Sequence, residues 1–174
     1  MKTHLLLILF FLCSLPGFGQ DAEKLLDKLN KGQKKHFQIY RQIQLALKAG
    51  KADYRKVFQA YYSVIAESCK VSQPQYQKQA DNLQEKADKA LMDGKNELAE
   101  RVGKVARMYA DMSRMQLDIV KAYSEQNTGT MNQTLKQMQF LETEMNNNRL
   151  KTLERDWLFP GEALNILRIM SSKK

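Results

Sequence analysis

Apolar residues recur at intervals of three and four along almost the whole chain, and strict alternation of apolar and polar residues is nearly absent. An interval of three to four is the period of an α-helix with one buried face, whereas a half-buried strand alternates. We therefore expect an all-α protein, namely an up-and-down helical bundle of about four to five long helices built from αα-hairpins, with a short C-terminal helix.

The first predicted helix runs from about Asp21 to Ala49, with Gly32 as a weak point. Its apolar face consists of Leu25, Leu26, Leu29, Ile39, Ile43 and Leu47. Gly50 suits the left-handed conformation in which many helices end. Asp53 is a good N-cap for a second helix, which we expect to reach about Lys70.

A proline marks the next predicted boundary. Pro74 is favoured in the first turn of a helix, where no backbone hydrogen bond is lost, and Ser72 is a start signal. The third helix then extends to about Asp93, with Gly94 as its C-terminal cap and Asn96 as the N-cap of the next helix. A bent but continuous helix through Gly94 is the alternative.

The fourth predicted helix, about Glu97 to Glu125, has an unusually wide apolar stripe interrupted by Gln116. The stripe comprises Val102, Val105, Tyr109, Met112, Ile119 and Tyr123, widened by Met108, Met115 and Ala122. Such width predicts contact with two neighbouring helices or with a partner.

A fifth helix begins at Thr128 or Thr130 and carries Met131, Leu135, Met138, Leu141 and Met145 on one face. Leu150, Leu153 and Trp157 continue that pattern with a shifted phase. The shift has two interpretations, a coiled-coil stutter within one helix or a local loosening at residues 146–148. The sequence "WLFPG" then ends the helix, and a short amphipathic helix follows it.

Two stretches resemble each other, "LALKAGKADY" at 45–54 and "KALMDGKNEL" at 89–98. Their offset of 44 residues falls within the period of HEAT-type repeats, but the chain carries no third copy, and a solenoid needs about three. The echo therefore predicts the same helix stop and restart used twice, with turns near Gly50 and Gly94.

The N-terminus has the pattern of a secretory signal peptide. Lys2 is followed by the apolar run from Leu5 to Leu12, which is too short to span a bilayer, and by small residues at Gly17 and Gly19. We predict a signal peptide over residues 1–19 and a single helical domain over residues 20–174. The protein is then exported to the periplasm or the extracellular space; an uncleaved membrane anchor is the alternative.

The chain is basic, since 28 Lys and Arg oppose 19 Asp and Glu for a formal net charge of +9. In an exported protein this excess favours anionic partners such as lipid head groups or acidic polymers, and makes nucleic acid a poor fit. The candidate anionic-surface residues are Lys24, Lys28, Lys31 and Lys35, which would form one stripe on a continuous helix. An ordinary solvated helix face is the alternative.

Catalytic and metal-binding patterns are absent from the sequence. His36 is the only histidine after the predicted signal, so a nucleophile and base pair is not expected, and no CxxC or HExxH motif occurs. We therefore expect no enzyme, cofactor or metal site. Cuprous copper bound by the closely spaced methionines of the fourth helix is a distant alternative. Cys69 is either an inert buried thiol or the source of an intermolecular disulfide.

These observations favour an exported, non-enzymatic helical interaction or scaffolding protein that acts through amphipathic helix faces and self-associates into a homo-oligomer. Trp157 and Phe159 are candidate anchors for an unidentified protein partner, although core packing is the commoner role of such residues. The second hypothesis is a binder of anionic surfaces, membrane lipid or acidic polymer, through the basic N-terminal helix. A helical-repeat adaptor or a methionine-based metal carrier ranks third.

Overall fold

A computed structural model describes residues 22–51 and 53–171 of the chain. These residues form an all-α helical bundle with a short C-terminal helix, which confirms the predicted fold class. The predicted signal peptide lies outside the described residues. The helices are α1 (Ala22–Asp27), α2 (Lys31–Lys48), α3 (Tyr54–Met92), α4 (Asn96–Ser124), α5 (Thr128–Asn147) and α6 (Pro160–Ser171).

The pairing of α3 with α4 is the largest helix contact in the bundle. Helix α5 packs on α4, α2 packs on α3, and α6 contacts both α1 and α2. The wide apolar stripe of α4 is thus covered on two sides, by α3 and α5. Its central residues Tyr109, Met112 and Ile119 are buried, which confirms the prediction of two neighbours.

The predicted first helix is wrong in one respect, because the chain breaks at residues 28–30 and forms two helices. Asn30 is the N-cap of α2, and its side chain accepts a hydrogen bond from Gln33 N at 2.8 Å. The Gln33 side chain accepts in return from Asn30 N at 3.1 Å, which completes a capping box. Gly32 therefore lies inside α2 rather than at the break.

The predicted boundary near Ser72 is also wrong, since α3 continues for 39 residues with Pro74 inside it. A proline in a helix interior removes one backbone hydrogen bond and costs about 3 kcal/mol. Packing against α4 outweighs that cost: Gln73 Nε2 donates to Ser113 Oγ at 2.9 Å, and Ser113 Oγ donates to Gln77 Oε1 at 2.9 Å. These contacts hold the helix on both sides of the proline.

The turns predicted at Gly50 and Gly94 are confirmed, with φ values of 67° and 73°. At each turn the following lysine N–H reaches back to a helical carbonyl, Ala46 O at 3.0 Å and Ala90 O at 2.8 Å, as in a Schellman motif. Asp53 caps α3 as predicted. The prediction for Asn96 is wrong, because it is the first residue of α4 and Lys95 precedes it without a side-chain cap.

Helix α5 begins at Thr128, as predicted, and buries the face that includes Met131, Leu135 and Met145. It ends at Asn147, and no helix resumes before Pro160. A break near residues 146–148 therefore occurs, but both a stutter and a loosening within a helix that continues to Trp157 are wrong, and "WLFPG" does not end a helix. The following segment, residues 148–159, is not helical and is called the strap below. Helix α6 then buries Pro160, Ala163 and Ile166.

Candidate functional site

The strap is the longest non-helical segment among the described residues, and its C-terminal end lies in the core. Trp157, Leu158 and Phe159 are exposed by only 2%, 2% and 1%. A buried backbone that forms neither helix nor sheet must find partners for its N–H and C=O groups elsewhere, because unpaired groups are costly. The sequence did not predict this segment.

Side chains of the helices supply those partners. The bonds are Tyr109 Oη to Lys151 O at 2.7 Å, Leu153 N to Tyr76 Oη at 2.9 Å, Asn30 Nδ2 to Arg155 O at 3.1 Å, Tyr61 Oη to Leu158 O at 3.2 Å and Phe159 N to Glu162 Oε2 at 2.8 Å. The donors and acceptors come from α3, α4, α6 and the N-cap of α2. The strap is thus bonded to the bundle from several directions.

His36 on α2 makes one of the most buried of these contacts. Its Nδ1 accepts from Leu158 N at 3.1 Å, so Nδ1 carries no proton. Nε2 therefore carries the proton and donates to Tyr61 O at 3.1 Å, while the imidazole stacks on the Tyr61 ring at 4.5 Å between centroids. Burial lowers the pKa of His36, and the neutral ring joins α2, α3 and the strap.

Arg155 is the charged centre of the strap. Its guanidinium makes bidentate contacts with Glu142 of α5, at 3.0 and 3.1 Å, and with Glu162 of α6, at 2.8 and 2.9 Å. It also donates to Trp157 O at 2.7 Å, so all five N–H donors have partners. Burial alone would lower the pKa of Arg155, but the two carboxylates raise it above its ordinary value.

The two candidate partner anchors lie beside this centre. Trp157 Nε1 donates to Ser68 Oγ at 3.1 Å, and the Phe159 ring meets the Trp157 ring edge-on at 4.8 Å. The Arg155 guanidinium lies 4.2 Å from the Phe159 centroid and 5.1 Å from that of Trp157. Both rings are core residues in this conformation, so they could meet a partner only if the strap moved away.

A glycine lets the strap approach α2 closely. A Cβ atom at Gly32 would overlap the side chain of Asp156. Asn30, two residues earlier, donates to both Arg155 O and Glu154 Oε1. The N-terminal turn of α2 is therefore a docking point for the strap, which explains a glycine inside this helix.

The four predicted anionic-surface lysines are all exposed, but they do not form one helical stripe. Lys24 belongs to α1, Lys28 lies in the turn, and Lys31 and Lys35 belong to α2, because the chain breaks at Asn30. Helix α2 instead has its own basic surface. The exposed basic residues of α2, called the α2 basic face below, are Lys31, Lys34, Lys35, Arg41 and Lys48.

The α2 basic face contains no acidic neighbour along the chain, since no Asp or Glu occurs between Asp27 and Asp53. This run without acidic residues is visible in the sequence, and it extends beyond the four lysines predicted to bind anionic surfaces. Lys31, Lys34 and Lys35 also line an open groove of about 570 Å³ beside Leu26 and Phe37. The positive charges of α2 therefore have no intrahelical counterions.

The thiol and thioether candidates are located in the core. Cys69 is 1% exposed, and burial raises its pKa to about 12, so the thiol stays protonated and away from solvent at neutral pH. Met108 and Met112 are also buried, and Met115 is half-buried. In this conformation, core packing accounts for all four residues.

Comparisons with protein-family profiles, with curated proteins and with solved structures found no match. Within residues 22–51 and 53–171, no group of three or more His, Cys, Asp or Glu residues is placed to hold a metal ion. In the same part of the chain, no helix has both the length and the apolar character required to cross a membrane.

We predict that the substitution Arg155→Met lowers the free energy of unfolding by about 3–5 kcal/mol, because it leaves two partly buried carboxylates unpaired. Urea denaturation measures the change. The matched control is Arg114→Met, whose pair with Asp111 lies on the surface and should cost less than about 1 kcal/mol. Adding Glu142→Gln and Glu162→Gln to Arg155→Met should restore part of the loss. Equal effects of Arg155→Met and Arg114→Met on the free energy of unfolding would contradict the role of Arg155 as a buried ion-pair centre.

We predict that His36 makes the protein less stable in mild acid. Its pKa is lower in the folded than in the unfolded chain, so the stabilisation is complete above pH about 6.5 and is lost as pH falls towards the lower folded pKa. Protonation would place two donors, Nδ1–H and Leu158 N–H, against each other. Within this window the free energy of unfolding should decrease by up to about 1.4 kcal/mol per pH unit.

The measurement is urea denaturation at several pH values for the wild type and for His36→Gln. Carboxylates titrate in both proteins, so the difference between their free energies of unfolding isolates the contribution of His36. The imidazole faces Tyr61, Arg155 and Glu162. A difference that stays constant between pH 8 and pH 4.5 would disprove the role given to the imidazole.

Proposed function

We propose that this protein is an exported, non-enzymatic binding protein that attaches to anionic surfaces through the α2 basic face. The observation that carries the proposal is an 18-residue helix with five exposed basic residues and no acidic residue. Clustered cations without counterions attract polyanions and accelerate their encounter.

The inner side of α2 supports this proposal because it fixes the direction of the basic side. His36, Phe37 and Tyr40 are buried against the bundle and the strap, so the helix cannot turn its apolar face towards a membrane. Binding would therefore be peripheral and electrostatic, rather than by insertion of an amphipathic helix. At 1.5 Å per residue, the face extends for roughly 27 Å, enough to meet several lipid head groups at once.

Anionic phospholipid is the partner that we favour. Each lysine or arginine close to a negatively charged membrane contributes about 1 kcal/mol, and this attraction decreases with salt. A soluble acidic polymer offers the same charge, but it does not need a face of fixed orientation. The two sources are separated in the experiment below.

We predict that Lys31→Gln, Lys34→Gln and Lys35→Gln together weaken co-sedimentation with anionic vesicles by at least tenfold at low salt, because three interactions of about 1 kcal/mol are lost. The control removes three exposed lysines elsewhere, by Lys86→Gln, Lys89→Gln and Lys104→Gln. Neutral vesicles and an acidic polysaccharide are the comparison ligands. Equal binding to anionic and neutral vesicles, or equal loss in both variants, would overturn the proposal; preference for the polymer would reassign the partner.

A second surface supports the broader role of an interaction protein. Between residues 81 and 104, the buried positions are Ala87, Ala90 and Gly103, and Gly103 lies opposite the Ala87 methyl group. Small residues allow α3 and α4 to approach closely along this stretch. At its end, large apolar residues are exposed, namely Leu91 by 60%, Met92 by 87% and Leu98 by 47%. We call these three residues the hairpin tip and propose it as the site of weak self-association.

We predict that the average mass measured by light scattering rises with protein concentration, and that Leu91→Gln, Met92→Gln and Leu98→Gln together suppress the rise. The interaction should be weak, because three side chains bury far less than the ~1,200 Å² of a stable interface. The control replaces exposed apolar residues elsewhere, by Leu45→Gln, Val71→Gln and Phe140→Gln. A strict monomer at the highest concentration would remove self-association from the account.

A further inference from the structure

A small cavity of about 20 Å³ lies beneath the strap, between α3, α4 and α5. Its polar lining includes Ser72 and Tyr76 of α3, Gln116 of α4, Glu142 of α5 and Arg155 of the strap. Leu153 and Trp157 close it from the strap side. The cavity therefore combines several hydrogen-bonding groups from four separate segments.

One polar atom in this lining lacks a partner. Gln116 is 2% exposed, and its Oε1 is the only buried side-chain oxygen or nitrogen without a hydrogen bond in the described part of the chain. The same residue interrupts the apolar stripe of α4. A hydrocarbon side chain at this position would pack without leaving a buried acceptor unpaired. An orphaned acceptor in a polar cavity indicates a missing donor.

We propose that the cavity is a binding site for a single water molecule that donates a hydrogen bond to Gln116 Oε1. The volume exceeds the 10–15 Å³ that one water requires. The Arg155 guanidinium in the lining disfavours a metal cation. Water is the small neutral donor that fits both the volume and the charge.

The remaining lining groups can complete the coordination of this water. Ser72 Oγ directs its own proton to Ser68 O at 2.9 Å, so it is left as an acceptor. Tyr76 Oη accepts from Leu153 N and keeps its own proton to donate. The water can thus donate to Gln116 and Ser72 and accept from Tyr76, within the usual two to four bonds of a buried water.

The site depends on a closed strap, since Leu153, Arg155 and Trp157 form part of its wall. The bound water would link α4 to α3 through polar groups that make no direct bond to Gln116. It would leave the site when the strap detaches. Its residence time should therefore follow the opening of the strap rather than the nanosecond exchange of surface water.

Water-to-protein NOE and ROE spectroscopy on the full chain tests the proposal. In the wild type we expect cross-peaks with the sign of a long-lived water to the Gln116 side-chain amide and to the Trp157 Nε1 proton. The substitution Gln116→Met keeps the size of the side chain and removes the acceptor. We expect it to abolish the cross-peak to the Trp157 Nε1 proton and to leave the urea midpoint unchanged or lower.

A dry cavity gives the opposite pattern. The cross-peaks would be absent in the wild type, and Gln116→Met would raise the urea midpoint because it removes an unpaired buried acceptor. Either result overturns the proposal. The wild-type spectrum decides the matter even if Gln116→Met fails to fold, and Ser72→Ala, which removes only one acceptor, should weaken the cross-peaks without abolishing them.

Discussion

The backbone of the strap imposes the constraint on which the rest of the structure depends. A chain that is buried without helix or sheet hydrogen bonds must be paired by side chains, and here those side chains come from α2, α3, α4 and α6. Each of these helices therefore has to present at least one polar group at a fixed place in an otherwise apolar surface. This requirement explains why Tyr61, Tyr76 and His36 occupy core positions that aliphatic residues would fill elsewhere.

The same constraint connects the core with the proposed function. His36 and the N-terminal turn of α2 attach the inner side of this helix to the strap, and Arg155 attaches the strap to α5 and α6. The basic residues of α2 are thereby directed outward on a rigid support. A buried ion pair of this kind contributes little net stability, because desolvation offsets most of the attraction, although removal of one partner is costly.

The sequence predicted the helices from their periodicity and the turns at Gly50 and Gly94 from left-handed glycine. It failed at Arg149, which makes the same left-handed turn with φ of 56°, because an arginine in the sequence gives no signal for that conformation. It failed at Pro74 because hydrogen bonds to α4, which is distant in sequence, hold the helix on both sides of the proline. The α2 basic face could be predicted from the absence of acidic residues in this part of the sequence. The ion pairs of Arg155 could not, since its partners lie on separate helices.

Amide hydrogen exchange of the strap tests the central claim most directly. If side chains pair this backbone as described, the amide protons of Leu153, Leu158 and Phe159 exchange as slowly as those in the middle of α4, although no regular structure protects them. Exposed amides of the same segment, such as that of Lys151, serve as the internal reference. Exchange of Leu153 and Leu158 at the rate of that reference would contradict the account.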